Sequence, residues 1–381
     1  MSEPPVIPPA ATPAASVVKP APVPAGASDR VPPPGDGEVT QDQLSIGRRL
    51  RQPRTILSIT IPLILLLLAS QLFLKIDFGL VLASVAQANK LLLLAAFLVF
   101  YAGFPLRGLR WRLILRGTKV NIDLRDSTEI IGLSWLVNCL VPAKLGDIYR
   151  AYLLKINAPV SLSRTFGTVF IERILDLFAI ATLGLLAGFW SFRSGLPPEI
   201  QFVAVLGIAV MVILGLALLT LRNFGRRIIE ALPLPHRVLE LYDRFEEGVF
   251  GAVSGRTLPG LIGLTGIIWC TEGLRLWLVI QALGFPDANL GISGAFFVAL
   301  IGSLLTAVPL SPAGLGLVEA GMVGILVAAY GLPVQEATTI AIVDRVISVF
   351  SVIVVGSILY VVSPIRRGKG LHESIDLPAA A

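Results

Sequence analysis

The chain has 381 residues, 55% of them hydrophobic and 15% charged, with a mean hydropathy of +0.80. That composition excludes the soluble globular classes and points to an all-α polytopic membrane protein. The net charge of +6 is concentrated in arginines beside apolar runs, which is the positive-inside pattern of membrane proteins and not a nucleic-acid surface.

Residues 1–45 hold eleven of the 27 prolines, without periodicity and almost without aromatics, so residues 1–47 are expected to form a disordered cytoplasmic tail and not a signal peptide. Arg48, Arg49, Arg51 and Arg54 border a first span, Thr55 to Leu74, and place the N-terminus in the cytoplasm. After a loop with Lys75 and Asp77, a second span from Lys90 to Leu106 returns to Arg107, Arg110, Arg112, Arg116 and Lys119, read as cytoplasmic. The next apolar run, Ile130 to Val141, is too short for a crossing, which needs about 20 residues. It predicts a hairpin that enters from the cytoplasm, turns at Pro142 to Gly146 and leaves through an amphipathic arm, Asp147 to Ile156.

Phe166 to Trp190 then crosses outward and Gln201 to Leu221 crosses back, completing a first membrane half over residues 48–221. In the cytoplasmic linker, residues 222–258, Val238, Leu241, Tyr242, Phe245 and Val249 recur at helical spacing and predict an amphipathic helix that lies on the membrane surface, the alternative being a partner-docking helix. The second half, residues 259–365, begins with a span from Pro259 to Leu283. No Lys or Arg follows between Leu276 and Asp344, so both ends of the second broken segment are expected outside, its arms Ser293 to Leu310 and Gly314 to Tyr330 forming either a hairpin that dips in from outside or two tilted crossings. Thr338 to Val362 returns to Arg366, Arg367 and Lys369 and a cytoplasmic tail, residues 366–381. The expected architecture is about six full spans plus two broken, re-entrant hairpins.

The two breaks resemble each other. NCLVPAKLGDIYR begins at Asn138 and VPLSPAGLGLVE at Val308; Pro142 to Gly146 aligns with Pro312 to Gly316, and each break precedes an acid-arginine pair, Glu172-Arg173 and Asp344-Arg345. Proline removes a backbone donor and glycine loosens a helix, so neither segment reads as a plain crossing. Non-helical backbone survives at membrane depth only where protein or a water-filled cavity covers it, and paired interrupted segments in two halves point to a transporter's substrate site. The opposed orientation of the halves predicts an inverted repeat.

An ionised side chain at membrane depth costs about 3 kcal/mol on insertion scales, so each should face the interior and be partnered. Arg173 with Asp176 and Glu272 with Arg275 can pair at i,i+3 as purely structural ion pairs. The functional alternative is that Arg173 and Arg345 hold a lipid phosphate, with Lys144 and Arg150 at the cytoplasmic mouth and Asp147, Glu172, Glu319 and Asp344 balancing charge or carrying protons. Pro142, Gly146, Pro312, Gly314 and Gly316 would shape the turns. Cys139 and Cys270 have no paired spacing and the two histidines fall outside the apolar runs, so no metal site is expected. No GxxxxGK[ST] loop occurs, so neither ATP hydrolysis nor a cofactor is expected.

These motifs resemble the lysylphosphatidylglycerol synthase transmembrane-region family, whose flippase-like membrane domain accompanies the synthesis and export of aminoacylated phosphatidylglycerol. The similarity covers roughly residues 55–365. In that family the first break reads Pro-Ala-Arg-hydrophobic-Gly-Glu, so Lys144 and Asp147 keep the charges and change the reach; Ala313-Gly314 stands for a Gly-Gly. With no aminoacyl-transferring domain after the last span, the resemblance implies translocation without synthesis, in a cytoplasmic membrane, of a phospholipid, a polyprenyl-linked glycan or a hopanoid. The competing readings are an integral-membrane transferase acting on a lipid carrier, and a non-transporting scaffold that recruits a cell-envelope enzyme.

Overall fold

The computed structural model describes residues 77–141, 144–193, 198–231, 236–251, 253, 255–306, 311–368 and 370–371, and all regular structure among them is helical. The predicted tail and first span lie outside the described residues. Polar caps set several helix starts. The Asp77 carboxylate accepts from the backbone N–H of Gly79 and Leu80 and opens α1 (Phe78–Gln87), a helix where a loop was expected. Asn89 caps α2 (Lys90–Gly117) in the same way, and Asp123 caps α3 (Leu124–Leu140).

After the first break come α4 (Leu145–Asn157), α5 (Leu162–Ser191), α6 (Pro198–Glu230) and α7 (His236–Phe250). The second half comprises α8 (Leu258–Leu283), α9 (Gly291–Leu305), a 3-10 turn at Pro312–Gly314, α10 (Leu317–Tyr330), α11 (Val334–Arg345) and α12 (Ser351–Val362). A π-helical turn, Val346–Phe350, joins α11 to α12, so Val334–Val362 is one nearly continuous rod. Among the described residues four stretches are long and apolar enough to cross a membrane: Lys90–Gly117, Leu258–Leu283, Pro312–Tyr330 and Val334–Val362. Leu91, Phe189 and Val362 are each more than 60% exposed, as suits a surface whose solvent is hydrocarbon.

α2 lies along α8, with α3 on another flank; α5 packs against α9 and α7, and α9 packs against α8 and α10. One buried cluster, including Phe100, Trp111, Leu133 and Leu153, joins α2, α3 and α4 to the α11–α12 rod; a second, including Leu276, Val298, Met322 and Ile340, joins α8 to α11. The 3-10 turn of the second break packs against α3, so the two breaks belong to one core.

A further expectation changes. The second span does not end at Leu106: α2 continues to Gly117, and Arg107 and Arg110 are buried within it rather than marking a membrane face. Part of the apolar stripe of α7 packs onto the protein, with Tyr242 and Val249 buried, while Leu241 stays 54% exposed. Val249 is fully buried, and Gly167 and Gly248 let α5 and α7 approach so closely that a Cβ on Gly248 would collide with the Arg164 carbonyl. Arg164 also meets Glu247 at 2.6 Å, and the Tyr242 hydroxyl donates to the Leu221 carbonyl at 3.1 Å.

Candidate functional site

Each break places a carboxylate at the start of a helix. In the first, Pro142 lies outside the described residues; Lys144 takes a left-handed backbone, φ 51° and ψ 37°, and α4 begins immediately after it. Gly146 then passes so near α3 that a Cβ would collide with the Ser134 carbonyl, and its N–H donates to Asn138 Oδ1 at 2.8 Å. That leaves the Asp147 carboxylate in the first turn of α4, where the helix dipole favours it. In the second break Ala313 and Gly314 are both left-handed, φ 51° and 71°, and Gly316 also has a positive φ, 89°, with ψ −52°. Glu319, in the first turn of α10, folds back to accept from Gly316 N–H at 2.6 Å.

Arginines from α5 and α11 reach these carboxylates. Arg173 binds Asp147 through two hydrogen bonds, of 2.9 and 3.0 Å, and Arg345 Nε binds Glu319 at 2.7 Å. Both pairs span 26 residues. Arg345 also donates to the Ala313 carbonyl, fastening the second break to α11. The acids that precede the two arginines are matched as well: Glu172 meets Arg110 of α2 at 3.0 Å, and Asp344 meets Arg275 of α8 at 2.8 Å. Linear alignment on the Pro-Gly motif pairs Asp147 with Leu317, whereas the shared geometry pairs it with Glu319, two residues later.

Around the first pair, Asp176 accepts from Arg110 at 2.6 Å, from Arg173 at 3.4 Å and from Trp269 Nε1 at 3.0 Å; Arg150 donates to Glu172 at 2.9 Å. Around the second, Glu272 bridges Arg275 and Arg107, the latter at 2.6 Å. Arg107 lies 4.7 Å above the Trp135 ring and Arg275 5.3 Å above Phe100, so aromatic faces take up guanidinium surface that lacks water. The two predicted i,i+3 pairs are therefore present, as parts of larger clusters. Arginines 107, 110, 150, 173, 275 and 345 face carboxylates 147, 172, 176, 272, 319 and 344, six against six. Paired and hydrogen-bonded in this way, the charges meet the cost of leaving water.

A cavity of about 380 Å³ lies between the breaks. Lys144, Asp147, Arg173 and Asp176 line it from the first half, and Glu272, Arg275, Gly314, Asp344 and Arg345 from the second. Arg150, Glu172 and Glu319 stand behind the wall: Glu319 holds Arg345, Arg150 lies 3.9 Å from Asp147, and Glu172 binds Arg150 and Arg110; Arg150, expected at a cytoplasmic mouth, is 1% exposed. Gly146, Pro312 and Gly316 shape the turns. Residues not singled out from the sequence also contribute: Trp135, Asn138, Trp269 and Ser348 line the cavity, and Arg107 and Arg110 anchor its acids. The i,i+3 spacing of Arg107 and Arg110 was the available signal, hidden because both resemble positive-inside markers.

Lys144 differs from the arginines. Among the described residues no carboxylate lies within 4.0 Å of its ammonium group, yet it lines the cavity. Its left-handed backbone costs a non-glycine residue roughly 1–2 kcal/mol, whereas the aligned residue of the other break is glycine.

The model of the lysylphosphatidylglycerol synthase TM region matches residues 55–356. A UPF0104 membrane protein of Methanocaldococcus jannaschii is 40% identical over 226 residues, covering 59% of this chain and 92% of that protein. One from Methanothermobacter thermautotrophicus is 29% identical over 73% of this chain and 85% of its own length. Glycosyltransferase AglD of Haloferax volcanii is 27% identical over 83% of this chain, and the match spans 56% of that protein's length. The helical membrane architecture, the paired breaks and these matches make the chain a multi-pass member of the lysylphosphatidylglycerol synthase transmembrane-region family.

Proposed function

We propose that the protein is a flippase-like translocator that takes a lipid headgroup into the cavity between its breaks and passes it across the bilayer, without ATP and without making or breaking covalent bonds. One observation carries the reading. Two non-helical breaks, each fastened by an acid-arginine pair spanning 26 residues, meet at one charged cavity inside an apolar helical body. The matched pairs Asp147–Arg173 and Glu319–Arg345, with Arg110–Glu172 and Arg275–Asp344 behind them, support an inverted repeat. In such a repeat alternating access follows from exchanging two similar conformations of the halves. Fixed arginines suit an anionic or isoprenoid-linked phosphate. The reading includes a cytoplasmic membrane location with both termini in the cytoplasm, following the arginine bias of the flanks. Purified protein in liposomes containing a headgroup-labelled lipid tests it: inner-leaflet label should become accessible to an external quencher, and unchanged accessibility against empty liposomes refutes it.

The similarity to a protein named a glycosyltransferase favours a second reading, a transferase on a lipid carrier. Its test is product formation by the purified chain from an activated sugar donor and a lipid phosphate; labelled product would displace the translocator reading.

A further inference from the structure

We propose that the cavity selects a headgroup bearing a single net negative charge, a phosphodiester, and that Lys144 is the residue that holds it; this rests on the cavity being the headgroup site. Six arginines and six carboxylates neutralise one another around the cavity, so Lys144 leaves a surplus of one positive charge. In a medium of low dielectric, that surplus is matched by one negative charge. A neutral headgroup leaves the lysine unpaired, and a diphosphate brings charge that nothing in the wall offsets.

Two further observations point to a ligand. Ser348, on the π-helical turn beside Arg345, lines the cavity, and its buried hydroxyl has no hydrogen-bond partner among the described residues. Such a group is costly to leave alone, and a rotation about its Cα–Cβ bond toward the cavity would let it donate to a phosphate oxygen. Lys144 occupies a left-handed position where glycine is the unstrained residue, and the other break has glycine there. Strained backbone of this kind clusters at ligand-binding sites, where the surrounding fold over-determines it. The cavity volume of about 380 Å³ suits a headgroup and not the acyl or isoprenoid tails. Phosphodiesters occur in glycerophospholipids and in isoprenyl glycosyl phosphates, and both satisfy the charge match.

Trp135 and Trp269 line the cavity and serve as reporters. Tryptophan fluorescence of the full chain in detergent would be titrated with dihexanoyl phosphatidylglycerol, dihexanoyl phosphatidylcholine, a short isoprenyl glycosyl phosphate and a short isoprenyl diphosphate. At least one phosphodiester of net charge −1 should bind about tenfold or more tightly than phosphatidylcholine, as a charge-assisted hydrogen bond implies. Whichever of the two binds tighter identifies the source. Lys144→Gly, which relieves the backbone, and Lys144→Gln should each abolish that preference, Lys144→Arg should keep it, and Ser348→Ala should weaken binding a few-fold. Equal binding of phosphatidylcholine, tightest binding of the diphosphate, or an undiminished preference in Lys144→Gly overturns the proposal. Lys144-dependent binding without movement in the liposome assay refutes the translocator reading and upholds the site; movement with no Lys144 dependence of binding does the reverse.

Discussion

The two acid-arginine pairs occupy corresponding places and differ in their surroundings, which gives a graded prediction. In Glu319→Gln, Arg345 loses its only carboxylate within 4.0 Å among the described residues and keeps the Ala313 carbonyl, with both side chains of the pair less than 10% exposed. Breaking a buried pair from one side typically costs about 3–5 kcal/mol. The low end, about 3 kcal/mol, applies because the glutamine oxygen still accepts a hydrogen bond. In Asp147→Asn, Arg173 retains Asp176 at 3.4 Å and its side chain is 32% exposed at the cavity, so the loss should be about 1–2 kcal/mol. Reversible unfolding in mixed dodecylmaltoside and SDS micelles measures both. Glu319→Gln/Arg345→Met should recover much of the Glu319→Gln loss, because no uncompensated charge remains. An Asp147→Asn loss as large as that of Glu319→Gln, or a double variant no more stable than the single, would refute the reasoning.

Three further variants probe the frame of the site. Lys144→Gly should raise stability by roughly 1 kcal/mol by removing left-handed strain, read as a higher unfolding midpoint; a lower one contradicts the strain argument. Gly146→Ala should destabilise by about 2–3 kcal/mol or more, since its Cβ meets the Ser134 carbonyl and stands 2.6 Å from Asn138 Oδ1; a midpoint equal to wild type would show that α3 and α4 can separate freely. Gly248→Leu should lift α7 from α5 and speed proteolysis at Arg237 and Arg244 several-fold, whereas an unchanged digestion pattern would deny the docking.

Much of the helical framework was legible because long apolar runs between polar caps specify helices regardless of neighbours. The breaks between Val141 and Gly146 and at Pro312 to Gly316 were visible because proline and glycine in the sequence mark breaks through backbone chemistry alone. The placement of single charges was less legible. Arg107 and Arg110 look like interfacial arginines until Glu272 and Asp176, far away in sequence, are seen to pair with them. Arg150 shows the same blindness: its partner Glu172 is 22 residues distant on another helix. α7 carries a stripe that fits a membrane surface and a protein groove alike, and only the glycine-to-glycine contact with α5 reveals that Tyr242 and Val249 pack inward while Leu241 stays exposed.

The central claim is that both breaks face one lipid headgroup. A phosphatidylglycerol analogue with a photoreactive diazirine on the headgroup, bound to the purified chain, irradiated and mapped by mass spectrometry, tests it most directly. Adducts are predicted on Lys144–Arg150 and on Ser311–Glu319, both suppressed by excess unlabelled lipid. Adducts confined to outward-facing residues such as Leu91, Leu98, Val354 and Val362 would contradict it.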